Sequence, residues 1–392
     1  MKYDFDKIID RTGTDCLKYD FKAERGLPED VLSLWVADMD FETAPEILEA
    51  IHERTNHGIF GYTNTKNDFA QIVCDWFEKH VGYRFSEKWL VKTPGVVFAI
   101  GMAVQAFTEP GDGVIIQQPV YYPFTNMVVK NNRKLVVNEL AYNEDTLEYT
   151  IDFQDFEQKI IDENVKMFVL CNPHNPVGRV WTRAELERLS DICIRHNVIV
   201  VSDEIHCDFI WDDNRHITYA SLSDAARDNC IVCTSVSKTF NLAGLQYSSI
   251  FVPNVQLRRS FLDAIDRSGY DEPSVYGITA ARAAYTEGEA WYEAVKAYIR
   301  SNITFVDEFL KENAPQLKLV PMQGTYLAWI DCKALGLSDE ELNRRVVEVA
   351  RLWLDPGSIF GKVGEGFERF NLACPRATLE EAMKRFIKIV NQ

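Results

Sequence analysis

The chain has 392 residues, of which 46% are apolar and 26% are charged. This length and composition predict a globular protein of about two or three structural units with a large apolar core. The net charge of −17 disfavours binding to nucleic-acid phosphates or anionic membranes, so that a small-molecule substrate is expected.

The N-terminal segment predicts a cytoplasmic protein. Residues 1–7 alternate charged and apolar side chains and lack the apolar stretch of a secretory signal. The longest apolar stretch, 96–107, is interrupted by Gly101 and Gln105 and is too short to cross a bilayer, so that it predicts a buried helix. Nine scattered cysteines fit reduced thiols in the same compartment.

The segment that leads into this helix predicts an anion site. Residues 93–97 read Thr-Pro-Gly-Val-Val. They would present free backbone N–H groups at the positive end of a helix dipole. We expect Gly95, Val96 and Val97 to hold a phosphate group through these N–H groups.

Short apolar stretches alternate with helical patterns through the middle of the chain. They lie at 114–116, 167–171, 198–201 and 231–233. Between two of them Thr182 and Glu185 form a capping box, and the apolar residues that follow share one helical face. This alternation indicates βαβ units and therefore an α/β fold with a parallel sheet.

Two of the predicted strands end in polar residues. Asn175 lies in a loop whose prolines fix irregular backbone, which suits an amide directed into a crevice. Asp203 ends a buried strand, and open α/β sheets bind ligands at the carboxyl ends of their strands. There the acid would keep a pyridine nitrogen protonated; the alternative is that it caps the next element.

Lys238 follows the strand at 231–233, in the stretch Ser-Val-Ser-Lys-Thr. Burial would relieve its preference for protonation, as a Schiff base with a carbonyl cofactor requires. A buried lysine and an acid for a pyridine nitrogen together indicate pyridoxal 5′-phosphate (PLP), whose ring stores the electrons of a carbanion. A P-loop is excluded because no glycines that would wrap phosphates precede Lys238.

Cys230 and Cys233 are spaced as a CxxC pair but flank the predicted buried strand. We interpret them as core residues, with a redox or metal role as the alternative, and we predict no metal site.

The alternation ends where a long helical pattern runs through Trp291, Val295, Tyr298 and Ile299. We therefore predict a large domain at 46–287 and a smaller domain formed by 1–45 and 288–392. The active site is expected between them.

Set in order, Asn175, Asp203 and Lys238 match the fold type I PLP enzymes of the class I/II aminotransferase group. More narrowly, the chain resembles the MalY/PatB branch, the carbon–sulfur β-lyases also called cystathionine β-lyases. The segments that carry the resemblance lie at 34–41, 61–63, 172–179, 202–206, 235–246 and 369–376. It implies a mostly parallel seven-stranded sheet flanked by helices, with a smaller α+β domain.

The resemblance assigns roles to the cofactor residues. Lys238 forms the covalent link to PLP, Asp203 pairs with the ring nitrogen, and Asn175 hydrogen-bonds the phenolic oxygen. Tyr121 stacks on the ring and contacts the substrate. Loop packing is its alternative role, and Tyr122 is the alternative stacking residue.

Further contacts with the cofactor follow from the same resemblance. Ser235 and Ser237 would add hydroxyl donors to the phosphate. Tyr62 resembles the tyrosine that reaches the phosphate from the neighbouring subunit, which implies a homodimer; alternatively it fills a turn. His206 replaces a tyrosine, and Gln246 an arginine, that many aminotransferases place against the cofactor, and both differences favour the lyase branch.

Arg369 lies where the family places the arginine that binds the substrate α-carboxylate, for which paired guanidinium donors are suited. The alternative for Arg369 is an exposed surface arginine. Arg376 is held in reserve as a residue that supports the carboxylate site without touching the substrate, or that is structural. Trp35, Ala37 and Asp38 are expected to line the same pocket.

The resemblance implies β-elimination from cystathionine or a related S-substituted cysteine, which gives pyruvate, ammonia and a thiol. Lys238 would remove the α-proton as general base. The alternatives are an amino-acid aminotransferase, and a PLP-containing regulatory protein of the MalY type.

Overall fold

Strands and helices alternate through the middle of the chain, as the sequence predicts. The computed structural model describes residues 3–391. The strands are β1 Leu32–Ser33, β2 Leu90–Thr93, β3 Gly113–Gln118, β4 Lys134–Glu139, β5 Ala141–Asn143, β6 Glu148–Thr150, β7 Val165–Cys171, β8 Ile199–Asp203, β9 Cys230–Thr234, β10 Ser248–Phe251, β11 Lys318–Leu319, β12 Leu327–Asp331, β13 Leu352–Trp353, β14 Asp355–Pro356 and β15 Phe367–Asn371. The α-helices are α1 Pro45–His57, α2 Asn67–Val81, α3 Val96–Phe107, α4 Pro123–Lys130, α5 Phe153–Asp162, α6 Arg183–Arg195, α7 Asp224–Asp228, α8 Val236–Thr239, α9 Val255–Arg267, α10 Val275–Glu287, α11 Glu289–Asn313, α12 Asp339–Arg344 and α13 Arg376–Phe386.

The central sheet has seven strands in the order β2-β10-β9-β8-β7-β3-β4. Strand β10 runs antiparallel to both of its neighbours, and the remaining pairs are parallel. The predicted mostly parallel, helix-flanked α/β sheet is therefore confirmed. Because β3, β7, β8 and β9 all end at one edge, the residues that follow them meet there.

Local signals in the sequence produced the expected elements. The capping box opens α6, where the Glu185 N–H donates to Thr182 Oγ1 at 3.3 Å and the Thr182 N–H donates to Glu185 Oε2 at 2.8 Å. The apolar stretch at 96–107 forms α3, with seven of its residues buried. Cys230 and Cys233 are buried free thiols on β9, which confirms their place in the core. Within residues 3–391, no helix is long and apolar enough to span a membrane.

A second, four-stranded antiparallel sheet has the order β11-β12-β15-β14. The N-terminal segment joins this part of the chain, because β1 pairs in parallel with β13. Helix α11 carries the predicted long apolar face, with Trp291, Val295 and Ile299 buried. The predicted division into 46–287 and 1–45 plus 288–392 stays a prediction, and Met1, Lys2 and Gln392 within these limits lie outside the described residues.

Buried charges attach the N-terminal segment to the loop at 36–41. Lys18 is 1% exposed, and its ammonium group donates to Asp40 at 2.7 Å. Arg11 donates to Asp38 at 2.6 Å and to Asp40 at 2.8 Å. The two cations neutralise the two carboxylates inside the protein, so that neither acid is buried as an unpaired charge. The loop is thereby held in one position beside the central sheet.

Glu368 on β15 is a fully buried carboxylic acid. It is 1% exposed, and neither of its oxygens has a hydrogen-bond partner within the described part of the chain. Burial, with smaller contributions from Asp339 and Asp355, raises the pKa of this carboxyl well above its usual range. Glu368 therefore keeps its proton in the folded protein under conditions in which the unfolded chain releases it.

We expect Glu368→Gln to raise the free energy of unfolding by about 1–3 kcal/mol at about pH 8. A raised folded pKa means that the stability contributed by the wild-type carboxyl is complete below its unfolded pKa of about 4.3. That contribution then falls by about 1.4 kcal/mol per pH unit until the pH passes the folded pKa. Urea unfolding of both proteins between about pH 4 and pH 8 measures the difference.

The matched control is Glu365→Gln, which changes an exposed glutamate three positions away. It should alter the free energy of unfolding by no more than about 0.5 kcal/mol across the same range. If the free energy of unfolding of Glu368→Gln exceeded that of the wild type by the same amount from about pH 5 to pH 8, ionisation of the buried carboxyl would not be the cause of the difference.

Candidate active site

A cavity at the carboxyl edge of the central sheet collects the predicted cofactor residues, except Ser235 and Tyr62. Its walls come from the loop at 36–41, the start of α3, the ends of β7 and β8, and the segment around α8. The lining residues are Ala37, Pro94, Gly95, Val96, Val97, Tyr121, Cys171, Asn175, Asp203, Ile205, His206, Ser237, Lys238, Ala243, Tyr247 and Ser248.

Lys238 lies on α8 and directs its amine into this cavity. The amine donates to the backbone oxygen of Ala37 at 2.8 Å. Burial lowers the pKa of Lys238 to about 8, and the positive charge of Arg369 acts in the same direction, whereas Asp38 and Asp203 oppose it. Near neutral pH an appreciable fraction of the amine is therefore uncharged, as a nucleophile or a general base must be.

Asp203 reaches the cavity because β8 ends at this residue. One of its oxygens accepts the N–H of Ile205 at 3.1 Å. Burial raises the pKa of Asp203 to about 7, although the Ile205 N–H and the charge of Lys238 both lower it. A cationic N–H group brought beside this acid would favour the carboxylate, because opposite charge stabilises the ionised form.

Arg369 and Asn175 meet in the protein interior. Asn175 Oδ1 accepts from Arg369 Nη1 at 2.9 Å, and the oxygen of Trp35 accepts from Nη2 at 2.8 Å. Nη2 also pairs with Asp355. Arg369 is 2% exposed, which excludes the alternative of a surface arginine. Its Nε–H has no hydrogen-bond partner among residues 3–391, so that one donor is left for a ligand.

The side chains of Asn371 and Tyr326 fix the backbone loop that faces Lys238. Asn371 donates to the oxygens of Val36 and Asp38 at 2.6 and 2.5 Å. The hydroxyl of Tyr326 donates to the oxygen of Ala37 at 2.9 Å, beside the bond from Lys238. Because these contacts hold the peptide on both sides of Ala37, the position of the lysine amine is determined by rigid partners.

His206 lines the cavity as a neutral imidazole. Burial lowers its pKa well below the usual range, and the charges of Lys238 and Arg369 act in the same direction. Its ring lies edge-on to Tyr326, with centroids 5.7 Å apart, and its Nδ1 has no partner within the described residues. His206 therefore offers a polar ring nitrogen without a charge.

The structure does not bring Ser235 to the cavity wall. Its hydroxyl donates to the oxygen of Tyr247 at 2.7 Å and accepts the Ser237 N–H at 3.0 Å, which caps α8. Ser237, which was predicted together with Ser235, does line the cavity. Gln246 is exposed, adopts φ 52° and is not among the lining residues.

Four more predicted site residues lie outside the cavity lining: Arg369, which reaches the wall through Asn175, and Trp35, Asp38 and Tyr62. Trp35 stacks on Trp353, with centroids 4.6 Å apart. The Asp38 side chain is paired with Arg11, although its charge still reaches Lys238. Tyr62 is fully exposed. Arg376, the reserve arginine, donates to Asn302 at 2.8 Å and to Ser301 at 3.0 Å instead of reaching the cavity.

Sequence reasoning missed several residues of the site. Tyr326, Asp355 and Asn371 hold Ala37 and Arg369 in place, and Tyr247 and Ser248 complete the wall. Only Asp355 could have been found from its neighbours in sequence, because an acid that follows the apolar stretch 352–354 resembles the other polar residues at strand ends. The others are polar residues in apolar surroundings, a pattern that occurs throughout protein cores.

The donor groups of the cavity fit PLP. The N-terminus of α3 offers backbone N–H groups for a phosphate. Asp203 suits a protonated ring nitrogen, and the unpartnered Nδ1 of His206 and Nε of Arg369 are polar atoms that a bound ligand can satisfy. The fold and this cavity together are those of a fold type I PLP-dependent enzyme.

Comparison with known proteins identifies the family within this class. Residues 29–386 match the family described as aminotransferase class I and II, and the chain belongs to it.

Three relatives match almost the whole chain. Cystathionine β-lyase PatB of Bacillus subtilis (strain 168) is 43% identical over 381 residues, covering 97% of this chain and 98% of the relative. Protein MalY of Escherichia coli (strain K12) is 35% identical, covering 99% of both chains. The crystal structure of cystalysin from Treponema denticola, which contains PLP, superposes with a TM-score of 0.95 at 36% identity, covering 100% of this chain and 99% of that one. The predicted resemblance to the MalY/PatB branch is confirmed.

Proposed function

We propose that the protein is a PLP-dependent carbon–sulfur β-lyase. It would cleave cystathionine or a related S-substituted cysteine to pyruvate, ammonia and a thiol. The observation that carries the proposal is that the Lys238 amine and Asn175 line one cavity, while Asn175 accepts a hydrogen bond from Arg369 directly behind it. Near-full-length similarity to PatB, named as a cystathionine β-lyase, supports the same activity.

The cofactor residues divide the binding of PLP among them. The N–H groups of Gly95, Val96 and Val97, with Ser237, would hold the phosphate, and Asp203 the ring nitrogen. Asn175 and His206 would face the ring oxygen, and Tyr121 would stack on the ring. Asn175, His206 and Tyr121 all line the same cavity as Lys238. When bound, PLP supplies an electron sink for the carbanion at the substrate α-carbon.

The substrate residues act on the amino-acid part of the thioether. Arg369 binds the α-carboxylate through donors that are already held in place by Asn175, Trp35 and Asp355. Lys238 removes the α-proton as general base, for which a pKa of about 8 is suited. The thiolate then leaves the β-carbon, and water supplies the oxygen of pyruvate as ammonia is released.

We also propose a cytoplasmic homodimer in which Tyr62 contacts PLP bound to the other subunit. Ile59, Phe60 and Tyr62 are 66%, 55% and 101% exposed in one short segment. An exposed apolar segment of this kind favours a protein–protein contact. Eight of the nine free cysteines are buried, which suits a reducing compartment.

The activity is tested with purified, PLP-loaded protein and cystathionine in the absence of any keto acid. Pyruvate is measured by a coupled lactate dehydrogenase assay and the thiol with a chromogenic disulfide. We expect the two products in equal amounts, and none from alanine, which has the same amino and carboxylate groups but no leaving group. Turnover that requires 2-oxoglutarate would identify an aminotransferase instead.

A further inference from the structure

Asp208 is a buried acid that the proposed reaction does not use. It is 5% exposed and lies in the segment that follows β8, five positions after Asp203 and two after His206. Unlike those two residues, it does not line the cavity. Among residues 3–391 its carboxyl group accepts two hydrogen bonds and forms no ion pair. Because a buried acid without a counter-ion costs stability, its place in the core needs a reason other than packing.

The carboxyl group of Asp208 contacts the residue next to Lys238. Its Oδ2 accepts a hydrogen bond from the hydroxyl of Thr239 at 2.5 Å, and Thr239 directly follows Lys238 on α8. Helix α8 has only four residues, so that few hydrogen bonds within the helix hold it in place. The bond between Thr239 and Asp208 therefore attaches α8 to the segment that follows β8.

Asp208 is itself fixed by two long helices. Its Oδ1 accepts the indole N–H of Trp76 on α2 at 3.2 Å, and its backbone oxygen accepts the hydroxyl of Tyr292 on α11 at 2.6 Å. Trp76 and Tyr292 are buried and pack edge-on, with ring centroids 5.4 Å apart. Because its own position is set by these partners, Asp208 is a rigid support for Thr239.

We propose that Asp208 is a positioning residue that acts through Thr239. It holds α8 so that the Lys238 amine stays where it meets PLP and the substrate α-proton. The inference rests on the proposed lyase function and adds the group that aligns its base. A misplacement of about 1 Å can lower a rate about a hundredfold. Because Asp208 lies outside the cavity lining, its loss should slow proton transfer and leave substrate binding at Arg369 intact.

The test removes the hydroxyl of Thr239 while nearly keeping its shape. We expect Thr239→Val to lower kcat for pyruvate formation from cystathionine by about tenfold or more, with KM within about twofold of the wild type. Thr239→Ser keeps the hydroxyl and should restore most of kcat. Asp208→Asn exchanges one acceptor oxygen for an NH₂ donor and should lower kcat in the same way. Equal values of kcat in Thr239→Val and the wild type would overturn the proposal.

A double variant tests whether the two residues act as one unit. Asp208→Asn combined with Thr239→Val should lower kcat by no more than about twofold beyond the more severe single variant, because both changes remove the same hydrogen bond. If the two single effects instead multiplied, the residues would act independently, and the proposal would be wrong.

The matched control is Thr108→Val, which removes another buried threonine hydroxyl. Thr108 is 4% exposed, follows the end of α3, and donates to the oxygen of Val104 at 2.5 Å. The change should lower thermal stability but leave kcat and KM within about twofold of the wild type. An equal loss of kcat in Thr108→Val and Thr239→Val would show that any lost buried hydrogen bond has this effect, against a positioning role.

Linkage of the cofactor without substrate separates this proposal from the lyase function. When protein freed of PLP is mixed with PLP, the Lys238 amine condenses with the aldehyde and water is released, which visible absorbance follows. We expect this linkage to form about tenfold more slowly in Thr239→Val than in the wild type or Thr239→Ser. If no thioether is cleaved, the lyase proposal fails, but this difference would still support the positioning role. Equal linkage rates in the three proteins would overturn it.

Discussion

Replacement of Lys238 by alanine is expected to lower kcat for pyruvate formation from cystathionine by about four orders of magnitude. Under the proposed function, the variant loses both the amine that would link the cofactor and the base that would take the α-proton. No second amine takes its place among the lining residues of the cavity, since Lys238 is the only lysine there within the described part of the chain. Purified Lys238→Ala should also lack the visible absorbance of lysine-bound PLP.

Two controls distinguish loss of chemistry from loss of the fold. Lys130→Ala removes an exposed lysine at the end of α4 and should leave both kcat and the absorbance as in the wild type. Thermal unfolding of Lys238→Ala should remain cooperative, because the lysine contributes one hydrogen bond to Ala37 and no ion pair. Retention of more than about one-hundredth of the activity would show that another group acts as the base.

Replacement of Arg369 by alanine is expected to lower kcat/KM by about a thousandfold, mainly through KM, because the α-carboxylate loses a charged, pre-positioned donor. The same change leaves Asp355 as an unpaired buried acid. Removal of one partner of such a pair lowers the free energy of unfolding by about 3–5 kcal/mol. Steady-state kinetics and urea unfolding measure the two effects separately.

The double variant Arg369→Met with Asp355→Leu separates recognition from stability. Because it replaces the ion pair by apolar side chains, it should recover most of the unfolding free energy while kcat/KM stays low. Arg376→Gln provides the matched control: this arginine contacts Ser301 and Asn302 away from the cavity, so that kcat/KM should stay within about twofold. Recovery of kcat/KM in the double variant would show that Arg369 acts only through the fold.

The residues found by sequence reasoning lie at the ends of elements. Asp203 ends β8, Gly95 precedes α3, and Lys238 lies on the short helix after β9. Such positions can be recognised because apolar periodicity marks each strand and helix locally. Their meeting at one cavity then follows from the parallel order of the sheet, which places strand ends on one edge.

In the loop at 36–41, the local sequence does not determine the direction of each side chain. Trp35, Ala37 and Asp38 were assigned to one pocket through family resemblance, but the structure gives them three different environments. Ala37 faces Lys238, Asp38 pairs with Arg11, and Trp35 stacks on Trp353. The direction of each side chain depends on partners from distant segments, about which the loop sequence carries no information.

Composition, periodicity and a few marked residues were therefore enough to predict the α/β class, the parallel sheet and Lys238 as a candidate residue of the site, because each depends on short-range pattern. Tertiary structure alone placed Arg369 against Asn175, 194 positions away, and Lys238 against Ala37, 201 positions away. It also placed the guanidinium of Arg25 over the ring of Trp35. These contacts arise from the packing of the N-terminal segment and β15 onto the sheet, and packing brings together residues whose separation in sequence is arbitrary.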